Sequence, residues 1–215
     1  MSSKSNVRPA RKRDDKREEE LAIRFVNTVA WRLQKQPEER LSDAASLLRW
    51  LRENGIGSRE VQKRLASQWK DDPERGASAL RMAVSLRETL YDILIATIAR
   101  EPPPKSALDR FSRMFSRAVS QAALEWRAGE LAWGGEPRSD GLDLFRPVLV
   151  SAAELISGPR SNLVKQCQDD RGCGWLFVDD SPASNRRWCS MGDCGNRAKA
   201  SRHFDRSRRR RSNAK

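Results

Sequence analysis

The four cysteines of this chain all lie in its final quarter, and their spacing constrains what that part can fold into. They are Cys167, Cys173, Cys189 and Cys194, in the pattern C-x5-C-x15-C-x4-C. Two close thiol pairs across a short loop suit one tetrahedral Zn²⁺, which takes four thiolates in a closed structural site. The alternative is four unrelated structural cysteines, which their clustering disfavours.

The N-terminus bears on how these thiols are interpreted. Residues 1–20 are polar and mixed in charge, so they lack the apolar core of a secretory signal. The chain also has no run of about 18 apolar residues, the length a membrane span needs. We therefore expect a cytoplasmic, nucleoid-associated protein with no membrane partner. In that reducing compartment disulfides are disfavoured, which favours metal binding.

Positive charge accumulates toward the C-terminus. The chain carries a net charge of +13 and a pI near 10.3. Between Arg186 and Lys215, eleven Lys and Arg face only Asp193 and Asp205, which gives +9 of that total. Such a balance predicts attraction to polyanions, either nucleic acid or an acidic membrane face. A charge run is usually a solvated segment, but one that continues from a metal module favours nucleic-acid contact.

Before the cysteines, apolar residues recur at helical spacing, which is typical of core-facing helices rather than of a cofactor pocket. The predicted helices are Leu21–Trp31, one capped by Ser42 and ending at Asn54-Gly55, one capped by Ser58, one from Asp72-Pro73 to just before Pro102, one through Leu108 and Ala122, and one from Leu142 to Leu155. A hairpin is predicted between Leu124 and Trp133, around Ala128-Gly129.

The cysteine region has few apolar residues of its own. Trp175 to Val178 is predicted to be a short strand, followed by a turn at Asp179-Asp180-Ser181-Pro182. A unit this small does not hold together by burial alone. Structural zinc supplies on the order of 10–16 kcal/mol in small peptides. We therefore expect metal binding and folding to be coupled here.

Several stretches of the chain match motifs of known families. In the cysteine region they are Cys173-Gly174-Trp175-Leu176-Phe177, Arg186-Arg187-Trp188-Cys189-Ser190-Met191, and Cys194-Gly195-Asn196-Arg197 with Lys199 beyond. Earlier they are Leu21-Ala22 with Phe25-Val26-Asn27-Thr28-Val29, Leu86-Arg87-Glu88 with Leu90-Tyr91, and Ser151-Ala152-Ala153 with Leu155. The first set resembles the CGNR zinc finger, and the second is similar to the ABATE domain that usually precedes it.

The resemblance covers about residues 21–206, with two departures from the family pattern. The first cysteine pair encloses five residues where the family has four, which should only widen one ligand loop. Pro182-Ala183 stands where the family usually has a basic residue and an asparagine, which puts in doubt a phosphate contact from that turn.

The predicted fold class is mainly α, with a helical N-terminal domain, a small β-hairpin, a small four-cysteine zinc-binding module and a disordered basic tail. The predicted segments are a disordered charged arm at 1–20, a helical ABATE-like domain at 21–160, a CGNR-type zinc finger at 161–206 and a disordered tail at 207–215.

The resemblance implies a zinc-dependent, DNA-binding transcription regulator with one structural Zn²⁺. The residues predicted to contact nucleic acid, with double-stranded DNA as the expected partner, are Arg186, Arg187, Arg197, Lys199, Arg202 and Arg206. Arg186, Arg187 and Arg197 have another role open to them, which is to neutralise the thiolates and pair with Asp179 or Asp180. Asn196 suits a turn.

Three other roles stay open for parts of the chain. An Arg-rich tail binds RNA as readily as DNA, so an RNA- or ribosome-associated protein is the first alternative. The second alternative is a small-molecule-binding protein or enzyme built on the helical domain, with the finger as an accessory. In a regulator, that domain is expected either to sense a small-molecule effector or to form a homodimer. For a ligand site we single out Asn27 and Arg87, whose alternative role is buried hydrogen bonding. With His203 as the single histidine and no phosphate loop or nucleophile elbow, an enzyme is not expected.

Overall fold

The structure is a computed structural model that describes residues 19–120, 122–127, 129–134, 137, 141–202 and 204. Its helices are α1 (Leu21–Val26), α2 (Ala44–Glu53), α3 (Arg59–Asp71), α4 (Pro73–Ala99), α5 (Lys105–Val119), α6 (Arg146–Ser157) and α7 (residues 196–202). Its strands are β1 (Val29–Ala30), β2 (Glu38–Glu39), β3 (Ala123–Arg127), β4 (Glu130–Gly134), β5 (Val164–Gln166) and β6 (Leu176–Val178). The predicted mainly α fold class is confirmed, including the β3–β4 hairpin and the C-terminal four-cysteine cluster.

Side-chain caps fix where several helices begin. Ser58 and Asp72 cap α3 and α4 as predicted. At α2 the cap is Asp43 rather than the predicted Ser42, because the Asp43 carboxylate accepts a hydrogen bond of 2.6 Å from the backbone N–H of Ser46. The Ser46 hydroxyl accepts one from the Asp43 N–H in return, and this reciprocal pair satisfies two helix-end donors.

Two predicted helices have different limits in the structure. The first ends at Val26 rather than Trp31, and the chain then forms β1 against β2. The prediction failed because a short apolar run does not distinguish a helix from a buried strand. The last predicted helix is split into a single 3-10 turn, Leu142–Phe145, and α6, which has a proline in its first turn.

The predicted apolar stripe of α5 is also partly wrong. Leu108 is 42% exposed, whereas Ala107 and Ala118 are buried. Phe111 and Phe115 of the predicted stripe do pack against the core, so the buried face of α5 includes them and the two alanines but not Leu108.

One apolar core joins the helices to the cysteine-containing part of the chain. Its buried side chains come from each of the helices α1 to α6, and they include Val164 of β5 and Leu176 of β6. These two strands pair antiparallel, with Val164 opposite Val178. Residues 164–202, called here the cysteine segment, are thus packed on residues 21–157, called here the helical segment. The boundaries predicted from the sequence remain predictions.

Glu19 and Glu20, at the end of the predicted charged arm, are described, and Glu20 pairs with Arg160. The rest of the arm and the predicted basic tail fall on residues that the structure does not describe. These are residues 1–18, 203 and 205–215, so the predictions for Arg206 and His203 also lie outside the described residues.

Candidate metal centre and basic surface

The sulfur atoms of the four cysteines converge at one point. Cys167, Cys173, Cys189 and Cys194 place their Sγ atoms within 4.8 Å of one another. The Sγ atoms of Cys173 and Cys189 are 3.8 Å apart, and those of Cys189 and Cys194 are 3.5 Å apart. All four cysteines are free of disulfides. The cluster that the spacing predicted is therefore present.

These distances fit the metal that the donor set favours. Zinc–sulfur bonds of about 2.3 Å in a tetrahedron place the sulfurs about 3.8 Å apart, close to the separations found here. Without a cation, hydrogen bonds from Cys173 and Cys189 lower the pKa of the Cys167 thiol. The pKa of the other three thiols is raised, at Cys173 and Cys189 chiefly by hydrogen bonds with neighbouring thiols and at Cys194 chiefly by burial. Four thiolates at this spacing therefore need a bound cation. Zinc fits such a site, because it binds four thiolates in a tetrahedron.

The first two cysteines are held by the end of β5 and the turn before β6. The backbone N–H of Cys167 donates to the carbonyl of Trp175 at 2.8 Å. Gly172 and Gly174 both have positive φ angles, of 86° and 66°, which residues with a side chain rarely adopt. A Cβ at Gly174 would also lie 2.7 Å from Leu33 Cγ, so glycine lets the helical segment approach closely.

Backbone contacts tie this turn to residues 31–34 of the helical segment. The N–H groups of Arg32 and Leu33 donate to the carbonyls of Cys173 and Gly172, both at 3.1 Å. The side-chain amide of Gln34 donates to the Arg171 carbonyl at 2.8 Å. The cysteine turn is thus fixed by a distant part of the chain as well as by its own strands.

Asn27 makes a second connection between the two segments. Its side-chain N–H donates to the carbonyl of Leu176 at 2.8 Å, and its side-chain oxygen accepts from the Leu176 N–H at 2.9 Å. Nearby, the indole N–H of Trp175 donates to the Val29 carbonyl at 2.9 Å. Because β6 has an open edge here, the Asn27 amide substitutes for a neighbouring strand.

Arg197 lies directly against the sulfur cluster. Its Nη2 is 2.8 Å from the Cys194 Sγ and 2.8 Å from an Asp169 carboxylate oxygen, to which its Nε also donates at 3.0 Å. It pairs with Asp193 too. Burial would raise the pKa of Asp169, but hydrogen bonds from Arg197 and the Arg171 backbone outweigh it, and the pKa is lowered.

Arg186 is likewise directed inward. Its Nε donates to the Trp188 carbonyl at 2.9 Å, its Nη2 donates to the Cys189 carbonyl, and its guanidinium lies 4.6 Å from the centre of the Phe177 ring. These contacts hold the loop that carries the third cysteine.

The three remaining described basic residues of the set, Arg187, Lys199 and Arg202, are all exposed. The guanidinium carbons of Arg187 and Arg202 lie 5.5 Å and 5.7 Å from the centre of the Trp188 ring. We call Arg187, Lys199 and Arg202, together with Trp188, the basic surface.

The two residues predicted for a ligand site are both engaged in hydrogen bonds. Arg87 is 2% exposed and pairs with Glu39 at 2.6 Å and with Glu88 at 2.7 Å. Burial would lower the pKa of Arg87, but the hydrogen bonds that it donates to these two carboxylates raise it. Asn27 also lines a half-open cavity of about 540 Å³, together with Trp50 and Trp175.

Sequence reasoning missed two residues at the sulfur cluster. Trp31 packs against the cysteines from the helical segment, and Asp169 is the buried partner of Arg197. The position of Asp169 between the first two cysteines was a usable signal, because charged residues next to ligands often act as outer partners. Trp31 gave no such signal, since its contact spans most of the chain.

Among the described residues, no helix has both the length and the apolar character needed to cross a membrane.

Fold and site together define a class, namely a mainly helical protein whose C-terminal part is a four-cysteine zinc finger. A model of the ABATE family, described as "Putative stress-induced transcription regulator", matches residues 19–159, and a model of the CGNR zinc finger matches residues 164–211. Because the ABATE match spans more than half of the chain, the protein belongs to that family. The predicted resemblance is confirmed. A comparison with curated proteins gives no match.

Proposed function

We propose that this protein is a DNA-binding transcription regulator in which one structural zinc ion per chain presents the basic surface to the phosphate backbone. The observation that carries the proposal is the exposed pair of Arg187 and Arg202, whose guanidinium carbons lie 5.5 Å and 5.7 Å from the centre of the Trp188 ring, next to Cys189 in the chain. Because a four-thiolate shell leaves no position for a water nucleophile, the metal is structural. The proposal is therefore of a binding protein and not of an enzyme.

The contacts divide the predicted nucleic-acid residues into two groups. Arg186 and Arg197 have their guanidinium groups on carbonyls, carboxylates and sulfur, which supports an internal role for them. Arg187, Lys199 and Arg202 are exposed. Each arginine donates its Nε to an internal oxygen, that of the Gln168 side chain or the Ala198 carbonyl, so its terminal nitrogens are the ones that can reach phosphates. Trp188, which is partly exposed beside these two guanidinium groups, adds an aromatic ring that a sugar or base can contact.

The test is a salt titration of binding to duplex DNA, measured by fluorescence anisotropy. Replacing Arg187, Lys199 and Arg202 by alanine should weaken binding and lower the log–log salt slope by up to about 3, because each lost phosphate contact removes about one unit. A matched control replaces the exposed Arg59, Lys63 and Lys70 of α3, which changes the net charge equally. An equal loss in both triple variants would contradict the proposed surface.

RNA binding is the outcome that would redirect this proposal. Structured RNA that competes for the labelled duplex better than unlabelled duplex does would favour the RNA- or ribosome-associated alternative. Genome-wide mapping of bound sites, with the intact chain and with Cys189→Ser, then tests regulation in the cell. We expect defined peaks that disappear in the variant.

An effector role for the helical segment is supported by the cavity beside Asn27. Its lining includes four Glu and three Arg as well as Trp50 and Trp175, so a small zwitterionic molecule suits it. Because Asn27 and Trp175 also connect the two segments, a ligand there would affect the cysteine segment directly. A thermal-shift screen with free amino acids tests this, and stabilisation should be lost in Trp50→Ala.

A further inference from the structure

We propose that Arg197 is a positioning residue of the metal centre and that Trp31, a residue of the helical segment, holds its guanidinium in place. The inference rests on the zinc site proposed above, but it does not depend on nucleic-acid binding. It implies that the zinc affinity of this chain depends on a part of the protein far from the four cysteines.

The first step of the argument is the charge of the site. One Zn²⁺ with four thiolates carries about two net negative charges, which a protein offsets with nearby donors and cations. Arg197 is placed to do so, because its Nη2 lies 2.8 Å from the Cys194 Sγ. A charge-assisted N–H···S contact lowers the energy of the sulfur lone pairs and stabilises the bound thiolate.

The second step is the anchoring of that guanidinium. The Asp169 carboxylate accepts from both Nε and Nη2 of Arg197, at 3.0 Å and 2.8 Å, and its side chain is 0% exposed. Asp193 binds Nη1. All three nitrogens of the fork therefore have partners, so Arg197 is held in one orientation toward Cys194 and is poorly placed to bind phosphate.

The third step is the contribution of Trp31. The Arg197 guanidinium carbon lies 5.1 Å from the centre of the Trp31 ring, within the range of a cation–π contact. The guanidinium lies over the Trp31 ring, and the ring packs against the cysteines. Since Asp169 and Asp193 occupy the edge of the guanidinium, the ring and the carboxylates restrain it in different directions.

The backbone at Trp31 supports this role independently. Its φ of 53° is in the left-handed region, which costs a bulky residue on the order of 1–3 kcal/mol and persists only when other contacts compensate. The compensating contacts are at the metal centre, since the next two N–H groups donate to the carbonyls of Cys173 and Gly172. The strained residue is thus fixed by the same turn that supplies a ligand.

The experiment measures metal affinity in the full-length protein. Co²⁺ is the probe, because it takes tetrahedral thiolate sites and is visible by its absorption, and zinc affinity follows by competition. Arg197→Met should weaken affinity about 10–100-fold, the usual effect of losing an outer partner of a metal ligand. The matched control is Lys199→Met, which removes the same charge two residues away on α7 and should leave affinity unchanged.

Two further readouts separate positioning from general stability. Loss of the N–H···S contact raises the energy of the Cys194 lone pairs, so the thiolate-to-cobalt band of Arg197→Met should move to longer wavelength. Arg197→Lys should recover part of the affinity, because it retains the charge but not the fork. Trp31→Ala should weaken affinity several-fold with the cysteine ligands unchanged.

The possible results lead to different conclusions. If the unaltered protein does not bind Co²⁺ with a four-thiolate spectrum, the proposed zinc site is wrong. If it binds and Arg197→Met matches Lys199→Met in affinity and spectrum, the role of Arg197 is overturned. An unchanged affinity in Trp31→Ala would overturn the part played by the helical segment. Should Arg197→Met not fold, the affinity and spectrum of Arg197→Lys against Lys199→Met decide the question.

Discussion

The helical segment and the sulfur cluster are held together by different forces. The helical segment has a core of many fully buried apolar side chains, among them Phe25, Leu86 and Phe145. Among the described residues, the buried cluster around the sulfurs contains Phe177 and three of the cysteines, with Trp31, Trp175 and Trp188 partly buried against it. Area burial at about 25 cal/mol per Å² stabilises the first, whereas the second offers much less apolar area. The second depends on metal, hydrogen bonds and ion pairs.

The junction between them shows how the two modes of stabilisation are combined. The β5–β6 ribbon contributes Val164 and Leu176 to the apolar core, while the turns at its ends carry the cysteines. One ribbon therefore belongs to both regions. We infer that metal loss should disorder the turns around the sulfurs but leave the ribbon packed on the helical core. The following experiments test these two regions and the ribbon that joins them.

Metal removal should have the largest effect. Chelation, or Cys194→Ser, removes an interaction on the order of 10–16 kcal/mol, so the turns around the sulfurs should lose their order. Hydrogen exchange is the measurement, with fast exchange expected at residues 168–174 and 186–195 and retained protection in α4. Protection of both ranges in a metal-free protein would contradict the division.

A core substitution should give the next largest effect. Phe25 is fully buried, with its ring 5.0 Å from that of Trp50, so Phe25→Ala should lower the free energy of unfolding by about 3–5 kcal/mol. Urea unfolding with zinc at saturation measures it. The control is Leu124→Ala, a 53% exposed side chain of the β3–β4 hairpin, which should change stability by about 0.5 kcal/mol or less.

The junction itself can be tested at Asn27. Asn27→Ala removes both partners of the Leu176 backbone and leaves a buried N–H and a buried carbonyl without them. We expect a loss of about 2–3 kcal/mol in unfolding free energy, together with faster exchange of β6. Asn54→Ala is the control, because its side chain makes one local bond to the Trp50 carbonyl, and it should cost about 1 kcal/mol or less. Equal losses in the two variants would argue against Asn27 as a connection between the segments.

The local parts of this architecture were predictable from the sequence. Ser58 and Asp72 cap helices because their chemistry acts within a few residues, and the cysteine spacing predicts the sulfur cluster for the same reason. The docking of Leu176 on Asn27 was not predictable, because an open strand edge can pair with any distant partner. The internal role of Arg197 was not predictable either, because it depends on Asp169, Cys194 and Trp31, which the fold brings to it.

The smallest effect concerns a buried carboxylate at the end of the ribbon. Burial would raise the pKa of Asp179, but hydrogen bonds from Lys165, from Ser181 and from the Arg186 backbone lower it to about 2, against an ordinary value of 3.8. Because the folded pKa lies below the unfolded one, its contribution to stability is present above pH 4 and is lost as the pH falls toward 2.

Asp179→Asn should therefore cost about 1–2 kcal/mol near neutral pH, and the difference from the unaltered protein should shrink between about pH 4 and pH 2. Acid also protonates the zinc-binding thiolates, so both proteins are titrated without metal, by urea unfolding at each pH. If the stability difference between the two proteins is present without metal, Lys165 and Asp179 still contact each other there, and the ribbon belongs to the helical core. If chelation at neutral pH abolishes the stability difference, the structure of the ribbon depends on the metal. The boundary between the two regions then lies at β5.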